Sequence, residues 1–193
     1  MDNVGVILKT IQQNMAVIMC FVTIILAFLG YMATYINTRM VVQKKDRLEL
    51  VTNRLNKFYG PLYVVTQAGK TAYSALVEKL GRENAVFEKG IDPSLAELEE
   101  WYLWMRTVFM PLNNQIERLI VENAYLIVER QMPKCLLCFV THVVGYKAAL
   151  AKWERGDFSE RFPLVNFPID LDDYATQSYN KLKSEQARLL EAL

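Results

Sequence analysis

The chain has 193 residues, which is enough for a membrane anchor and one modest domain. Its formal net charge of +1 at pH 7 gives no electrostatic argument for a nucleic-acid partner, and we expect none. Hydrophobic residues make up 52% of the chain, which is a high share, and they are concentrated near the amino terminus.

The first predicted element is a membrane-spanning helix. No charged residue occurs between Thr10 and Thr38, and residues 15–36 are long enough to cross a hydrocarbon core of about 30 Å. A cleaved signal peptide is the alternative, but it needs a more basic start, a shorter apolar core and a small-residue cleavage site. We therefore predict a short amino-terminal segment (1–14), a transmembrane helix (15–36), a helical stalk (37–59) and a cytosolic helical bundle (60–193).

Flanking charges predict the orientation of this helix. Asp2 and Lys9 precede it, whereas six basic residues follow it in the next part of the chain: Arg39, Lys44, Lys45, Arg47, Arg54 and Lys57. Because basic flanks normally stay in the cytoplasm, we expect the amino terminus outside and the bundle on the cytoplasmic side of an inner membrane. Lys44, Lys45 and Arg47 also fit contact with anionic lipid, although ordinary positive-inside charge is the simpler explanation.

Small residues recur along one side of the predicted membrane helix. The gaps between them alternate between four and three residues, which is the spacing of a heptad seam: Ala16, Cys20, Thr23, Ala27, Gly30 and Thr34. Small side chains let helices approach closely in lipid. The same spacing continues through apolar residues of the stalk: Leu48, Val51, Leu55 and Phe58. We therefore expect a homo-oligomer packed along this seam, or, for the stalk portion, packing on the chain's own domain.

A Gly-Pro pair follows the stalk. Pro61 has no backbone N–H, and in an α-helix its ring clashes with the carbonyl of Lys57. Proline also disfavours the α conformation at the preceding residue, Gly60. We therefore expect the long helix to end or kink sharply here and a second helix to begin.

The next predicted helix begins with Asp92 as its N-cap and Pro93 in its first turn. Its apolar face continues to about Glu129, and we expect a bend at Pro111. The segments "FYGPL" and "FMPLN" share an aromatic-x-Pro-Leu theme, which is a local likeness and not a repeat of solenoid length.

Two more helices complete the predicted fold. One runs from Pro133 to about Glu154 and is ended by Gly156. The other runs from about Leu171 to Leu190, after a loop containing two prolines. There is no alternating strand pattern, so the sequence predicts an all-α fold: a membrane helix continuing into a stalk, then an antiparallel helical bundle.

One cluster carries candidate chemistry. Cys135, Cys138 and His142 lie on one helical face, and thiolates and imidazole are zinc ligands. Residues seven apart on a helix are about 10 Å apart, however, so the three side chains do not readily hold one ion. A buried helix face is the simpler explanation, and a redox role is a lesser one, since a nearby helix start lowers a thiol pKa. Without a Glu-x-x-His pair or a nucleophile elbow, we expect neither an enzyme nor a cofactor.

Trp101 and Trp104 stand in an aromatic tract that spans more than one helical face. Exposed tryptophans often anchor protein partners, so both residues are candidates for a partner-binding surface. Burial in a large core is the alternative.

Several segments resemble a group of bacterial proteins with no assigned activity. The likeness lies in "LNKFYGPLY", "WMRTVFMPLN", "MPKCLLCFVTHVVGYKAALAKWERGDFSE" and "NFP". Those proteins have a Tyr-Gly-Pro-Leu turn and a Trp-Glu-x-Gly-x-Phe element, often after a membrane helix. The resemblance covers roughly Asn53 to Leu190 and implies a bacterial helical domain, but it transfers no site.

These patterns favour a membrane-anchored assembly protein that associates with itself through the transmembrane and stalk helix and binds a protein partner through its bundle. The alternative is a membrane effector of bacterial antiviral defence, in which a cytosolic sensor domain gathers the spans into a pore or a depolarising assembly.

Overall fold

The computed structural model describes residues 3–83, 85–87, 93–158 and 165–192, apart from the side chains of residues 3, 8 and 16. Every regular element in these ranges is a helix or helical turn, so the predicted all-α fold is confirmed. The elements are α1 (Asn3–Arg54), a first π turn (Leu55–Tyr59), α2 (Gly60–Lys79), α3 (Leu95–Trp104), a second π turn (Met105–Phe109), α4 (Met110–Glu122), a 3-10 turn (Ala124–Leu126), α5 (Lys134–Trp153) and α6 (Leu171–Glu191).

The long helix continues through Gly60 and Pro61, so the predicted break there is wrong. The N–H of Gly60 bonds to the carbonyl of Leu55, five residues back, and α1, the first π turn and α2 form one continuous helix. A π turn holds one residue more than an α turn, so it accommodates the missing N–H and the ring of proline. A Cβ on Gly60 would lie 2.6 Å from the Leu55 oxygen, which is why the position suits glycine.

The second π turn repeats this arrangement before Pro111. The N–H of Met110 bonds to the carbonyl of Met105, again five residues back, and α3, this turn and α4 follow one another directly. The aromatic-x-Pro-Leu theme thus corresponds to two π turns. The helix ends at Glu122 and not near Glu129, and the Asn123 side chain donates back to the Leu119 carbonyl at this end.

The start of α3 and the end of α5 show which local sequence signals determine where a helix begins and ends. The N-cap of α3 is Ser94, whose side chain accepts from the N–H of Glu97, while the Glu97 carboxylate accepts from the N–H of Ser94. This capping box replaces the predicted Asp92 cap, and Asp92 itself lies outside the described residues. At the end of α5, Gly156 has a φ of +81°, as expected for the residue that stops a helix.

The helices form an antiparallel bundle. Lys79 at the end of α2 pairs with Glu100 of α3, so these two helices run in opposite directions. The rings of Tyr102 in α3 and Trp153 at the end of α5 lie 4.5 Å apart, which gives α5 the opposite direction to α3 and α4. These contacts place α3 beside the end of α2 and the end of α5 beside α3.

α6 runs antiparallel to the long helix and packs along it. Near its start, Asp172 pairs with Lys70 of α2 at 2.6 Å. Near its end, Glu185 pairs with Arg47 of α1 at 2.7 Å. The bundle therefore includes the carboxyl-terminal part of α1. Residues 44–59 make contacts with the rest of the chain that a free-standing stalk would lack.

Candidate functional site

The first candidate site is the amino-terminal part of α1. Its side chains are exposed to the surroundings, including large apolar ones such as Phe21, Leu26 and Phe28. By length and composition, two helices in the described ranges are apolar enough to cross a membrane: the long helix and α5. α5 contributes Leu136, Phe139 and other buried residues to the bundle core, whereas the most apolar part of α1 is not buried by any described part of the chain.

The membrane half of the seam is open. Cys20, Thr23, Ala27, Gly30 and Thr34 are all exposed, and the side chain of Ala16 is outside the described set. Thr23 and Thr34 donate their hydroxyls to the carbonyls four residues back, at 2.8 and 2.9 Å, so they present no unbonded donor. No atom lies within 4 Å of a Cβ built on Gly30, so this position is uncovered in the described part of the chain.

The other half of the seam is occupied by the chain itself. Val51 and Phe58 are 0% exposed and Leu55 is 5% exposed, while Leu48 is half-buried. These side chains belong to the core of the bundle. The surface that the sequence offered to a second copy is therefore covered from Val51 onward, and the alternative of packing on the chain's own domain describes this part.

Two of the three basic residues proposed to face lipid have partners in α6 or at the residue that directly follows it. The guanidinium of Arg47 binds the Glu185 carboxylate, and the Lys44 ammonium donates to the carbonyl of Ala192 at 3.0 Å. Lys45 is exposed. Lys44 and Arg47 thus fasten the last turns of α6 to the helix that enters the apolar segment.

The two tryptophans have different surroundings. Trp101 is 6% exposed and packs edge-on to Phe87, with ring centroids 5.3 Å apart, so it is a core residue and not a surface anchor. Trp104 is half-buried, and its indole N–H donates to the Glu100 carboxylate at 2.6 Å. Trp104 is the one of the pair that retains exposed surface.

Cys135, Cys138 and His142 lie on α5 as the spacing indicates. Cys135 and His142 are buried and Cys138 is half-buried. Burial raises the pKa of the Cys135 thiol and nearby Asp170 adds to this, and together they outweigh the lowering of the pKa by backbone N–H groups at the helix start. Within the ranges described, no group of three or more His, Cys, Asp and Glu side chains is arranged to hold a metal ion.

His142 is held by the loop before α6. Its Nδ1 lies 2.8 Å from the carbonyl of Val165. Because a carbonyl only accepts, Nδ1 carries the proton and Nε2 carries the lone pair. Desolvation by burial lowers the pKa of His142, and the bond to Val165 opposes this. The side chain is therefore neutral at pH 7.

The free energy of unfolding should therefore depend on pH through His142, which is the single histidine of the sequence. The unfolded state binds a proton at higher pH than the folded state, so the stability contribution is full above about pH 6.5 and falls as pH decreases toward the lowered folded pKa. From pH 7.5 to 5.5 we expect the free energy of unfolding in urea to fall, by at most about 1.4 kcal/mol per pH unit. His142→Asn keeps an N–H for Val165 and should remove most of this fall; an unchanged fall would contradict the assignment.

A cavity is the feature that sequence reasoning missed. It encloses about 650 Å³ and is lined by residues of α2, α3, the second π turn, α4, α5 and the segment before and at the start of α6. Its walls include Gly69, Trp101 and His142, which are distant in sequence. No local pattern could have indicated it, because it exists only where the helices leave space between them.

A second missed feature is a polar cluster at the first π turn. The hydroxyl of Tyr59 accepts from the N–H of Val128 at 3.0 Å and lies 3.4 Å from that of Tyr174, which donates to Glu129 at 3.2 Å. This cluster ties the turn after α4 to the long helix and to α6. Comparisons of the chain with protein-family models, curated proteins and solved structures gave no match, so the functional argument rests on this geometry.

Proposed function

We propose that this protein is a single-pass membrane protein that assembles with copies of itself through the exposed small-residue face of α1, between Cys20 and Thr34. The observation that carries the proposal is the division of the seam: its membrane half is open and its other half is buried in the chain's own core. Association is then confined to the part of α1 surrounded by lipid, where small residues favour close helix packing.

The continuous helix supports this arrangement. α1 continues through the first π turn into α2, so the apolar segment and the bundle share one backbone without a flexible joint. The contacts of Arg47 and Lys44 with α6 fix the bundle close to the end of the apolar segment. Assembly of the spans would therefore bring the bundles together in a defined orientation.

The proposed topology follows from charge. Because basic residues flank the carboxyl side of the apolar segment, the bundle lies on the cytoplasmic side of a bacterial inner membrane and the amino terminus lies outside. A protein partner would then meet the bundle in the cytoplasm, and Trp104 is the remaining tryptophan candidate for that contact. A membrane effector with a sensor domain requires the same anchor and assembly, but it must also change the membrane potential, which potential-sensitive dyes would record in expressing cells.

The test is the size of the full chain in lipid nanodiscs or mild detergent. We expect the wild-type chain to form oligomers, and Ala27→Leu with Gly30→Leu to raise the dissociation constant about tenfold or more, because leucine keeps the helices from approaching closely. Ile25→Phe is the control, since it enlarges a side chain of the same helix on the face opposite the seam. A wild-type chain that is monomeric throughout, or an equal effect of Ile25→Phe, would refute the proposal.

A further inference from the structure

The cavity in the bundle has the size and walls of a small-molecule site. Its volume of about 650 Å³ falls within the range of about 300–1,000 Å³ that is usual for ligand pockets. Aromatic side chains form much of its wall, among them Tyr73, Phe109, Tyr146 and Phe167. The rings of Phe167 and Tyr146 stand nearly perpendicular to the His142 ring, with centroids 5.5 and 4.9 Å away. Such walls suit a flat ring compound.

Trp101 contributes only its ring to the wall of this cavity. Its indole N–H is buried and, in the described part of the chain, has no hydrogen-bond partner. The indole nitrogen has almost no accessible surface, so it does not face the open space of the cavity and a bound molecule cannot reach it.

His142 supplies an acceptor. Since its Nδ1 donates to Val165, the lone pair of Nε2 is left for a donor. Asn113, 9% exposed, lines the same cavity and adds an amide with both donor and acceptor atoms. The polar atoms of the inner wall thus belong to uncharged groups.

The charged residues lie at the outer edge of the cavity. Lys70 is exposed and already paired with Asp172, and Asp173 is also exposed. All three line the cavity, so its edge carries more acidic than basic groups. A carboxylate or phosphate would meet repulsion there and would find no basic side chain in the inner wall.

We propose that this cavity binds an uncharged heteroaromatic small molecule, with a ring N–H that donates to Nε2 of His142. A fatty acid and a nucleotide are the anionic alternatives, and the acidic edge of the cavity disfavours both.

The probe for this proposal is 5-fluorobenzimidazole, a heteroaromatic ring that is uncharged at pH 7.5 and carries one acceptor nitrogen and one N–H. Fluorine NMR of the probe with the full chain in nanodiscs should show saturable line broadening that empty nanodiscs do not produce. His142→Asn should weaken binding about tenfold, because it removes the acceptor nitrogen Nε2 but keeps an N–H for the Val165 carbonyl.

Gly69→Leu gives a variant that should remain folded. Gly69 lies on the cavity face of α2 with Val65 and Tyr73, and no atom lies within 4 Å of a Cβ built on it. Leucine also favours the helix more than glycine does, so we expect raised thermal stability and no probe binding. Ala68→Leu places the same side chain at an exposed neighbouring position and should leave binding unchanged.

Three results would overturn the proposal: no binding beyond that of empty nanodiscs, equal binding by Gly69→Leu and the wild-type chain, or displacement of the probe by decanoate at lower concentration than by unlabelled benzimidazole. The last would identify a site for an anionic lipid chain. A stable Gly69→Leu chain that has lost binding would support it even if His142→Asn failed to fold.

Discussion

Phe58→Ala is expected to lower the free energy of unfolding of the bundle by about 3–5 kcal/mol. Phe58 is 0% exposed and packs edge-on against Tyr59, with ring centroids 4.8 Å apart. Removing the ring leaves a cavity between the long helix and the rest of the core, and loses the apolar surface that the ring buries. Urea unfolding of the full chain in detergent, followed by tryptophan fluorescence, measures the change.

The Phe58 experiment also separates folding from assembly. Because the side chain is buried by its own chain, the unfolding midpoint of the variant should not depend on protein concentration. Leu50→Ala, at a position 39% exposed on the same helix, is the control and should change the free energy of unfolding by about 0.5 kcal/mol or less. A small effect of Phe58→Ala, or an unfolding midpoint that rises with protein concentration, would indicate that Phe58 lies at an interface between copies.

Gly60→Ala should destabilise the bundle by about 1–3 kcal/mol, even though alanine usually stabilises a helix. The added methyl group would lie 2.6 Å from the carbonyl oxygen of Leu55, and that atom belongs to the backbone, which cannot turn aside as a side chain can. The first π turn must therefore shift, and with it the buried Leu55, Phe58 and Tyr59. The same unfolding measurement applies.

Gly69→Ala is the matched control for Gly60→Ala. It lies in the same helix, and its added methyl group meets no atom within 4 Å. We expect it to stabilise the bundle by about 0.5–1 kcal/mol, the usual preference of a helix for alanine over glycine. Opposite signs for the two substitutions would confirm the close approach at Gly60, whereas equal stabilisation would show that the π turn is absent.

The sequence predicted the helical class because that depends on local periodicity. The apolar row from Leu95 to Ile120 and the proline and glycine signals near Pro133 and Gly156 each follow from a few neighbouring residues. The prediction at Pro61 failed because the rule for proline assumes an α-helical ladder, and a π turn evades it. The recurrence of aromatic-x-Pro-Leu at Pro111 was the signal available for this.

For the start of α3 and for the seam in the stalk, a sequence signal was present, but a second explanation competed with it. Ser94 and Glu97 have the spacing of a capping box, but Asp92 before Pro93 looked like the stronger start. The seam at Val51 and Phe58 is a true apolar row, and periodicity alone cannot say whether a second copy or the chain's own helices cover it.

The cavity could not be predicted from the sequence. Asn113 and His142 come from two different helices, and each looks like an ordinary core residue until its neighbours are placed. The pairing of Arg47 with Glu185 is equally non-local, since the two residues are 138 positions apart. Such features depend on tertiary packing and leave no periodic trace.

Cross-linking at Cys20 in native membranes tests the central claim most directly. In chains with Cys135→Ala and Cys138→Ala, a thiol oxidant should join two copies through Cys20, which lies on the open half of the seam. Moving the thiol to the opposite face with Cys20→Ser and Val22→Cys should abolish the cross-linked dimer. Equal cross-linking at both positions, or none at Cys20, would contradict assembly through this face.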